Sequence, residues 1–291
     1  MAEVQPPLTA PVEESIGPRD LTHWHTRLGR RLVDLVSSLV GVAHRWTMLV
    51  TLLVAGLVVV GLTALSSEVY SSVTDDGELA GLDQPVLDAA VATRTPFNQT
   101  ALTVFTDIGG PVGMPILASA LVALMVWRWK SWSPLVLTLA AAAGSLAMTT
   151  VGKHLIGRSR PPRELAVPPF ESSPSFPSGH TLNATVIIGV LVYLWLLHLT
   201  TQRARWWAVG AGALFVISMG LSRVYLGHHW LTDVIAGWLL GLAWLTVVVT
   251  AHRLHLTIRR RRERARTDPA GRPQSHAAGG LAPGANTTPA R

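Results

Sequence analysis

Six apolar blocks of membrane length constrain this chain more than any other feature. They cover residues 47–65, 111–127, 133–152, 182–199, 206–221 and 231–251, about 16 to 21 residues each, and Asp233 is the one acid inside any of them. A helix needs ~20 apolar residues to cross the hydrocarbon core of a bilayer. One such block could be a buried helix of a soluble protein, but six in succession predict an all-α integral membrane protein with six transmembrane helices.

The basic residues fix the expected orientation. Arg27, Arg30, Arg31 and Arg45 precede the first block, Arg128 and Lys130 separate the second from the third, Arg203 and Arg205 the fourth from the fifth, and Arg253 with Arg259 to Arg262 follow the sixth. Cytoplasmic connections carry the excess of Lys and Arg, so these ends and both termini are expected inside. Residues 67–110 hold seven acids (Glu68, Asp75, Asp76, Glu78, Asp83, Asp88 and Asp107) against one base, Arg94, and are expected outside. The net charge of +7 is therefore explained by the membrane. Nucleic acid is not an expected partner, because no aromatic platform interleaves with the basic residues. With no cysteine, disulfides and thiolate metal sites are excluded.

The chain divides into three parts. In residues 1–46 a proline-rich lead precedes Leu28, Leu32, Leu35, Val36 and Leu39, whose spacing predicts an amphipathic helix at the cytoplasmic interface. Residues 47–252 form the membrane domain, in which Leu82, Val86 and Ala90, then Leu102 and Phe105, suggest two short helices on the outer surface. Residues 253–291 begin with a basic run and continue rich in Pro, Gly, Ala and Thr, which predicts a disordered cytoplasmic tail. The polar leader before the first block, and that block's length, argue against a cleaved signal peptide.

Three clusters of polar residues sit at block ends on the expected outer face. Lys153-x6-Arg160-Pro161 closes the third block. If the helix continues, seven residues rise ~10.5 Å and return the two cations to one side. Pro177-Ser178-Gly179-His180 opens the fourth, where free N–H groups at a helix N-terminus, the Ser178 hydroxyl and the His180 imidazole could receive an anion and move a proton. Ser222-Arg223-x5-His229-x3-Asp233 leads into the sixth. There Asp233 could accept a hydrogen bond from one imidazole nitrogen of His229 and leave the other free to attack phosphorus, while Arg223 presents a fork to phosphoryl oxygens. Each cluster also has a plainer reading: snorkelling cations, a helix cap, a surface ion pair. His228, His229 and Asp233 would suit zinc as ligand types, but adjacent histidines diverge on a helix and no third strong ligand follows at metal spacing.

Taken in order, the three clusters resemble the signature of the type 2 phosphatidic acid phosphatase (PAP2) superfamily, the lipid phosphate phosphatases. The resemblance covers about residues 83–241 and matches every signature position. It implies six transmembrane helices with the active site at the extracytoplasmic face, His229 as the nucleophile that becomes a phosphohistidine, Asp233 as its orienting carboxylate and His180 as the general acid. Lys153, Arg160, Ser178, Gly179 and Arg223 would bind phosphate. No metal or other cofactor is implied. The expected activity is hydrolysis of a lipid phosphate or diphosphate, such as a polyprenyl diphosphate, phosphatidic acid or phosphatidylglycerol phosphate, in a bacterial inner membrane. Two other classes share parts of this pattern. Vanadium haloperoxidases have a similar site but are soluble, and lipid-head-group binders or transporters also place charged residues beside membrane helices.

Overall fold

A computed structural model describes residues 14–42 and 80–267, together with Gly61 and Ala64. The expected first span, 47–65, and the acids Glu68, Asp75, Asp76 and Glu78 fall outside the described residues apart from those two positions.

The regular structure of the described chain is helical except for one hairpin, in which β1 (Ser15–Ile16) pairs antiparallel with β2 (Arg19–Asp20), Ser15 opposite Asp20. Helix α1 (Arg27–Val42) follows, then α2 (Asp83–Ala92), α3 (Pro96–Ile108), α4 (Gly113–Trp129), α5 (Ser133–Ile156), α6 (Gly179–Leu196), α7 (Gln202–Tyr225) and α8 (Leu231–Thr267). Local signals set several starts. Thr95 accepts the N–H of Asn98 at the head of α3, where Pro96 takes the first helical position, and Thr201 accepts the N–H of Ala204 at the head of α7.

Four described helices, α5, α6, α7 and α8, are long and apolar enough to cross a membrane. A fifth span arises if α3 and α4 count together, bent by 51° at the Gly109–Val112 break. The block at 111–127 therefore differs in detail from its expectation: α4 alone has 17 residues, short of the ~20 needed. Leu139, Leu146, Leu155, Trp207, Leu214 and Leu239 all face outward. A soluble protein of this size would not present so much contiguous apolar surface, whereas a bilayer covers it. The chain is a multi-pass membrane protein.

Helix α6 is the centre of the bundle, packed against α5, α7 and α8. Leu182, Ala184, Val186, Val190 and Leu194 are buried over more than half of its circumference, while Ile188 and Val192 are half-buried and Trp195 is exposed. The C-termini of α5 and α7 and the N-termini of α6 and α8 consequently meet at one end. The ends marked by Arg128, Lys130, Arg203 and Arg205 lie at the other.

The last helix departs from expectation. Residues 253–267 were expected in a disordered tail, yet α8 runs to Thr267 and its 37 residues measure ~55 Å, well beyond a ~30 Å hydrocarbon core. Its projecting end is held by the N-terminal segment. Arg260 pairs with Asp20 at 2.6 Å and Arg261 with Asp34 at 3.1 Å. Trp24 donates to Thr257 at 3.0 Å, and Arg253 lies over its ring at 4.6 Å. Those acids neutralise a basic run that would otherwise repel itself. On α1, Val33 is buried while Leu28, Leu32 and Leu35 are exposed, an apolar stripe with no partner among the described residues.

Candidate active site

All eight residues singled out in the sequence lie at the end of the bundle where α5, α6, α7 and α8 meet. Helix α5 stops at Ile156 because Gly157 adopts a left-handed conformation (φ +61°) that other residues enter only with strain. Lys153 thus occupies the last helical turn, and Arg160 lies beyond it in the connection. The expected common helical face does not exist. Instead the 157–178 connection folds back, and the Ser173 hydroxyl takes both Lys153 Nζ and an Arg160 N–H at 3.1 Å. Lys153 also donates to the carbonyl of Pro174.

A second turn places the histidines. Helix α7 ends at Tyr225, and Gly227, at φ +74°, reverses the chain so closely over the carbonyl of Leu165 that a Cβ would stand 2.4 Å from its oxygen. The N–H groups of His228 and His229 then both point to the carbonyl of Arg223, at 3.0 and 3.3 Å. This turn packs His229 beside Arg223 just ahead of α8.

His229 is almost completely buried, and its two nitrogens face different partners. Nδ1 lies 3.4 Å from Asp233 Oδ2, and Nε2 lies 3.2 Å from the guanidinium of Arg160. An arginine can only donate, so Nε2 acts as acceptor, which leaves Nδ1 as the protonated nitrogen facing Asp233. Burial pushes the imidazole down to about 4, with Arg160 and Arg223 acting in the same direction and Asp233 opposing them. Around neutral pH, Nε2 is therefore unprotonated, its lone pair accepting from Arg160. Asp233 is the third residue of α8, and its carboxylate accepts the Trp230 N–H at 3.0 Å and the Ser175 hydroxyl, a reach back over the helix start like that of a capping box. The His229–Asp233 pair spans the beginning of α8 and is not a pair along one helical face.

Glu171, which the sequence reading passed over, sits among the cations. Its carboxylate binds Arg160 at 2.6 Å and Arg223 more closely still, with His228 Nδ1 at 3.7 Å and His180 Nδ1 at 4.0 Å. Burial favours its protonated form, but His228, Arg223 and Arg160 outweigh burial and hold the carboxyl well below the usual carboxylate range. An anionic group with two oxygens thus occupies the space between the arginines and His180. Arg223 is anchored beneath by Thr106 at 3.1 Å, and its buried Nε–H has no partner among the described residues. His228 has Nδ1 2.6 Å from the Arg223 guanidinium and Nε2 2.6 Å from the Val167 carbonyl, so both its nitrogens are engaged.

The Ser178-Gly179-His180 cluster is arranged differently from expectation in one respect. The Ser178 N–H is tied to the carbonyl of Asp233 at 3.2 Å, and its hydroxyl accepts from Thr181 at 2.9 Å. The N–H groups of Gly179 and His180, in the first turn of α6, have no helical acceptor, as at every helix start. A cavity of about 260 Å³ opens beside Arg160, Glu171 and His228 and is also lined by Arg163 and Phe170. The constellation has an unprotonated imidazole nitrogen turned to a cradle of cations, a carboxylate behind that ring and a second imidazole facing the cradle. Such a set suits transfer of a phosphoryl group to nitrogen.

The pattern of the PAP2 superfamily matches residues 131–256. Phosphatidylglycerophosphatase B of Bacillus subtilis is 35% identical over 162 residues, which are 55% of this chain and 78% of that protein. The chain belongs to the PAP2 superfamily. It is a phosphatase of the PAP2 type, and all eight candidate residues fall within the matched region. An undecaprenyl-diphosphatase of Sulfolobus acidocaldarius is 32% identical over 159 residues, 52% of this chain and 70% of its own length. The crystal structure of a transmembrane PAP2 type phosphatidylglycerolphosphate phosphatase from Bacillus subtilis superposes with a TM-score of 0.58 at 29% identity, covering 66% of this chain and 94% of that one. Asp83 and Thr106, which reach the PAP2 site from α2 and α3, lie outside the matched region.

Proposed function

We propose that this PAP2 protein hydrolyses a phosphate or diphosphate monoester carried by a membrane lipid, through a phosphohistidine on His229. The observation that carries the reading is the division of labour at that ring: Nδ1 against Asp233, Nε2 turned to the arginine cradle. In this reading the phosphoryl group displaces Glu171, and Lys153, Arg160, Arg223 and the N–H groups of Gly179 and His180 hold its oxygens. Nε2 attacks phosphorus in line, and the Asp233 carboxylate offsets the positive charge that grows on the imidazole. His180 protonates the departing oxygen. Water then attacks the phosphohistidine with His180 as base, and phosphate leaves. Three fixed cations supply the charge stabilisation that metal ions give in other phosphoryl transfers, so the reaction needs none.

Ser178, wholly buried, serves in this scheme by fixing the start of α6 and its free N–H groups. The relatives named for phosphatidylglycerophosphate and undecaprenyl diphosphate favour those lipids as substrates, with phosphatidic acid a further candidate of the same chemistry, the tail in the bilayer and the head group at the site. The charge distribution favours a site on the extracytoplasmic face and cytoplasmic termini, and the apolar length of 47–65 favours a sixth span, in what we take to be a bacterial inner membrane. Residues 1–46 then form a cytoplasmic segment with α1 at the interface, 47–252 the phosphatase domain, and 253–291 a basic cytoplasmic extension. The test is phosphate release from a panel of lipid phosphates and diphosphates by purified protein in detergent with excess chelator. Release from at least one is expected. Release from none, or only after a divalent metal is restored, would overturn the reading.

A further inference from the structure

We infer that Arg158 and Asp83 are positioning residues for the reaction, holding the Asp233 carboxylate in the orientation that keeps its Oδ2 on His229. The inference rests on the proposed role of His229. It starts from an unequal use of the two Asp233 oxygens. Oδ2 receives Ser175, the Trp230 N–H and His229, whereas Oδ1 receives one strong partner, Arg158, at 2.6 Å. Free rotation about the terminal bond of Asp233 would exchange the two oxygens and break the alignment with the imidazole. Arg158 opposes that rotation from the side away from His229.

Arg158 is itself fixed by a closed set of bonds. Its second terminal nitrogen binds Asp83 Oδ2 at 2.7 Å, and its first also donates to the Thr232 hydroxyl at 2.7 Å. Thr232 in turn gives its N–H to Asp83 Oδ1 at 2.9 Å and its hydroxyl proton to Asp83 Oδ2 at 2.7 Å. Asp83 thus caps the N-terminus of α8 from another helix and clamps the guanidinium that clamps Asp233. Trp230 covers the set, its ring 5.6 Å from the guanidinium. Asp233 and Asp83 are buried and Arg158 nearly so, so water does not substitute readily for a partner lost among these three. Two carboxylates share one guanidinium, and although burial works to lower its pKa, Asp233 and Asp83 together raise it above the ordinary arginine value.

The arrangement gives the outer segment a part in the chemistry. Asp83 opens α2, within a stretch whose acids read in the sequence as a mark of external location, and 150 positions separate it from Asp233. A displacement of α2 would therefore be felt at His229 through two side chains, without α2 touching substrate.

The experiment measures kcat and KM for Asp83→Asn, Arg158→Gln and Arg158→Lys, each in the wild-type and Asp233→Asn backgrounds, on the best lipid substrate. Groups that orient a first-contact residue are typically worth ~10- to 100-fold, and a misplacement of ~1 Å can cost ~10². Asp83→Asn is expected to lower kcat ~10-fold and Arg158→Gln ~100-fold, each with KM within about twofold, and Arg158→Lys to recover part of the loss. In the Asp233→Asn background, each should change kcat by less than about twofold, because the group they position has lost its charge. Equal losses in both backgrounds, a rise in KM with kcat unchanged, or no effect would overturn the inference. If Arg158→Gln does not yield folded protein, the isosteric Asp83→Asn carries the test alone. A wild-type enzyme inactivated by His229→Ala but indifferent to Asp83→Asn would refute this inference and leave the proposed function standing.

Discussion

Replacing Glu171 with glutamine removes the charge that occupies the anion cradle and keeps nearly the same shape. In the structure the carboxylate holds Arg160 at 2.6 Å and Arg223 more closely, and it is 28% exposed. A hydrogen bond to a charged group contributes ~1.5–3 kcal/mol net. An incoming phosphate must break both such bonds before it can make its own, and only part of that loss is recovered when the released carboxylate meets water. If the occupied state is favoured by ~1.5–3 kcal/mol, apparent anion affinity is reduced ~10- to 150-fold, since affinity scales with the fraction of sites that are open. Glu171→Gln should therefore lower the inhibition constant of inorganic phosphate, and KM for the lipid, by ~10-fold or more. The protein without ligand should lose thermal stability, because Arg223 is buried and would lack its counter-charge, and should regain it with phosphate. The assay is initial rates on a short-chain lipid phosphate in detergent with increasing phosphate. An unchanged or higher inhibition constant would refute the reasoning and make Glu171 a structural partner of Arg223.

Other expectations follow from the same geometry. His229 titrates at about 4 in the folded chain but near 6.5 when unfolded, so its neutral ring contributes stability above pH 6.5 that is lost as the pH falls toward 4. Nuclear magnetic resonance of ring-labelled histidine, compared with His229→Gln, should show the neutral ring at pH 6, and a midpoint near 6.5 would contradict the burial argument. His180→Ala should reduce turnover of a lipid phosphate by ~10²- to 10⁴-fold. An activated ester that needs no proton should recover much of that loss but none of the loss in His229→Ala, and equal rescue of both would show the roles to be misassigned. Single cysteines placed near Glu164 should label from outside intact cells and those near Lys130 only after permeabilisation, and the reverse pattern would overturn the topology.

The parts legible in the sequence were those written in local pattern. Blocks 133–152, 182–199, 206–221 and 231–251 became α5 to α8 because apolar length needs no partner to be recognised, and the short helices α2 and α3 showed in their three- and four-residue spacing. The end of α8 did not show. Arg259 to Arg262 read as the start of a disordered tail because Asp20 and Asp34, which pair with Arg260 and Arg261, lie more than 220 residues away. At the site, Lys153 and Arg160 were marked by their motif, but the shared helical face offered for them does not hold: Gly157 ends the helix between them, and Ser173 joins them. Glu171, Arg158, Asp83 and Ser175 carried no local signal. Each matters through a contact across the fold, such as Ser175 with Asp233, that residue type and spacing do not encode. The position of Arg158, two before Arg160 in a stretch already marked by Lys153, was the one available hint.

The most direct test of the account is to trap the intermediate. Purified protein is mixed with a lipid phosphate labelled at phosphorus, quenched in alkali within a turnover, digested, and its phosphopeptide sequenced. The account predicts a single acid-labile, alkali-stable phosphate on His229, formed in His180→Ala and absent from His229→Ala. Phosphate on any other residue, or turnover of the lipid by His229→Ala, would contradict it.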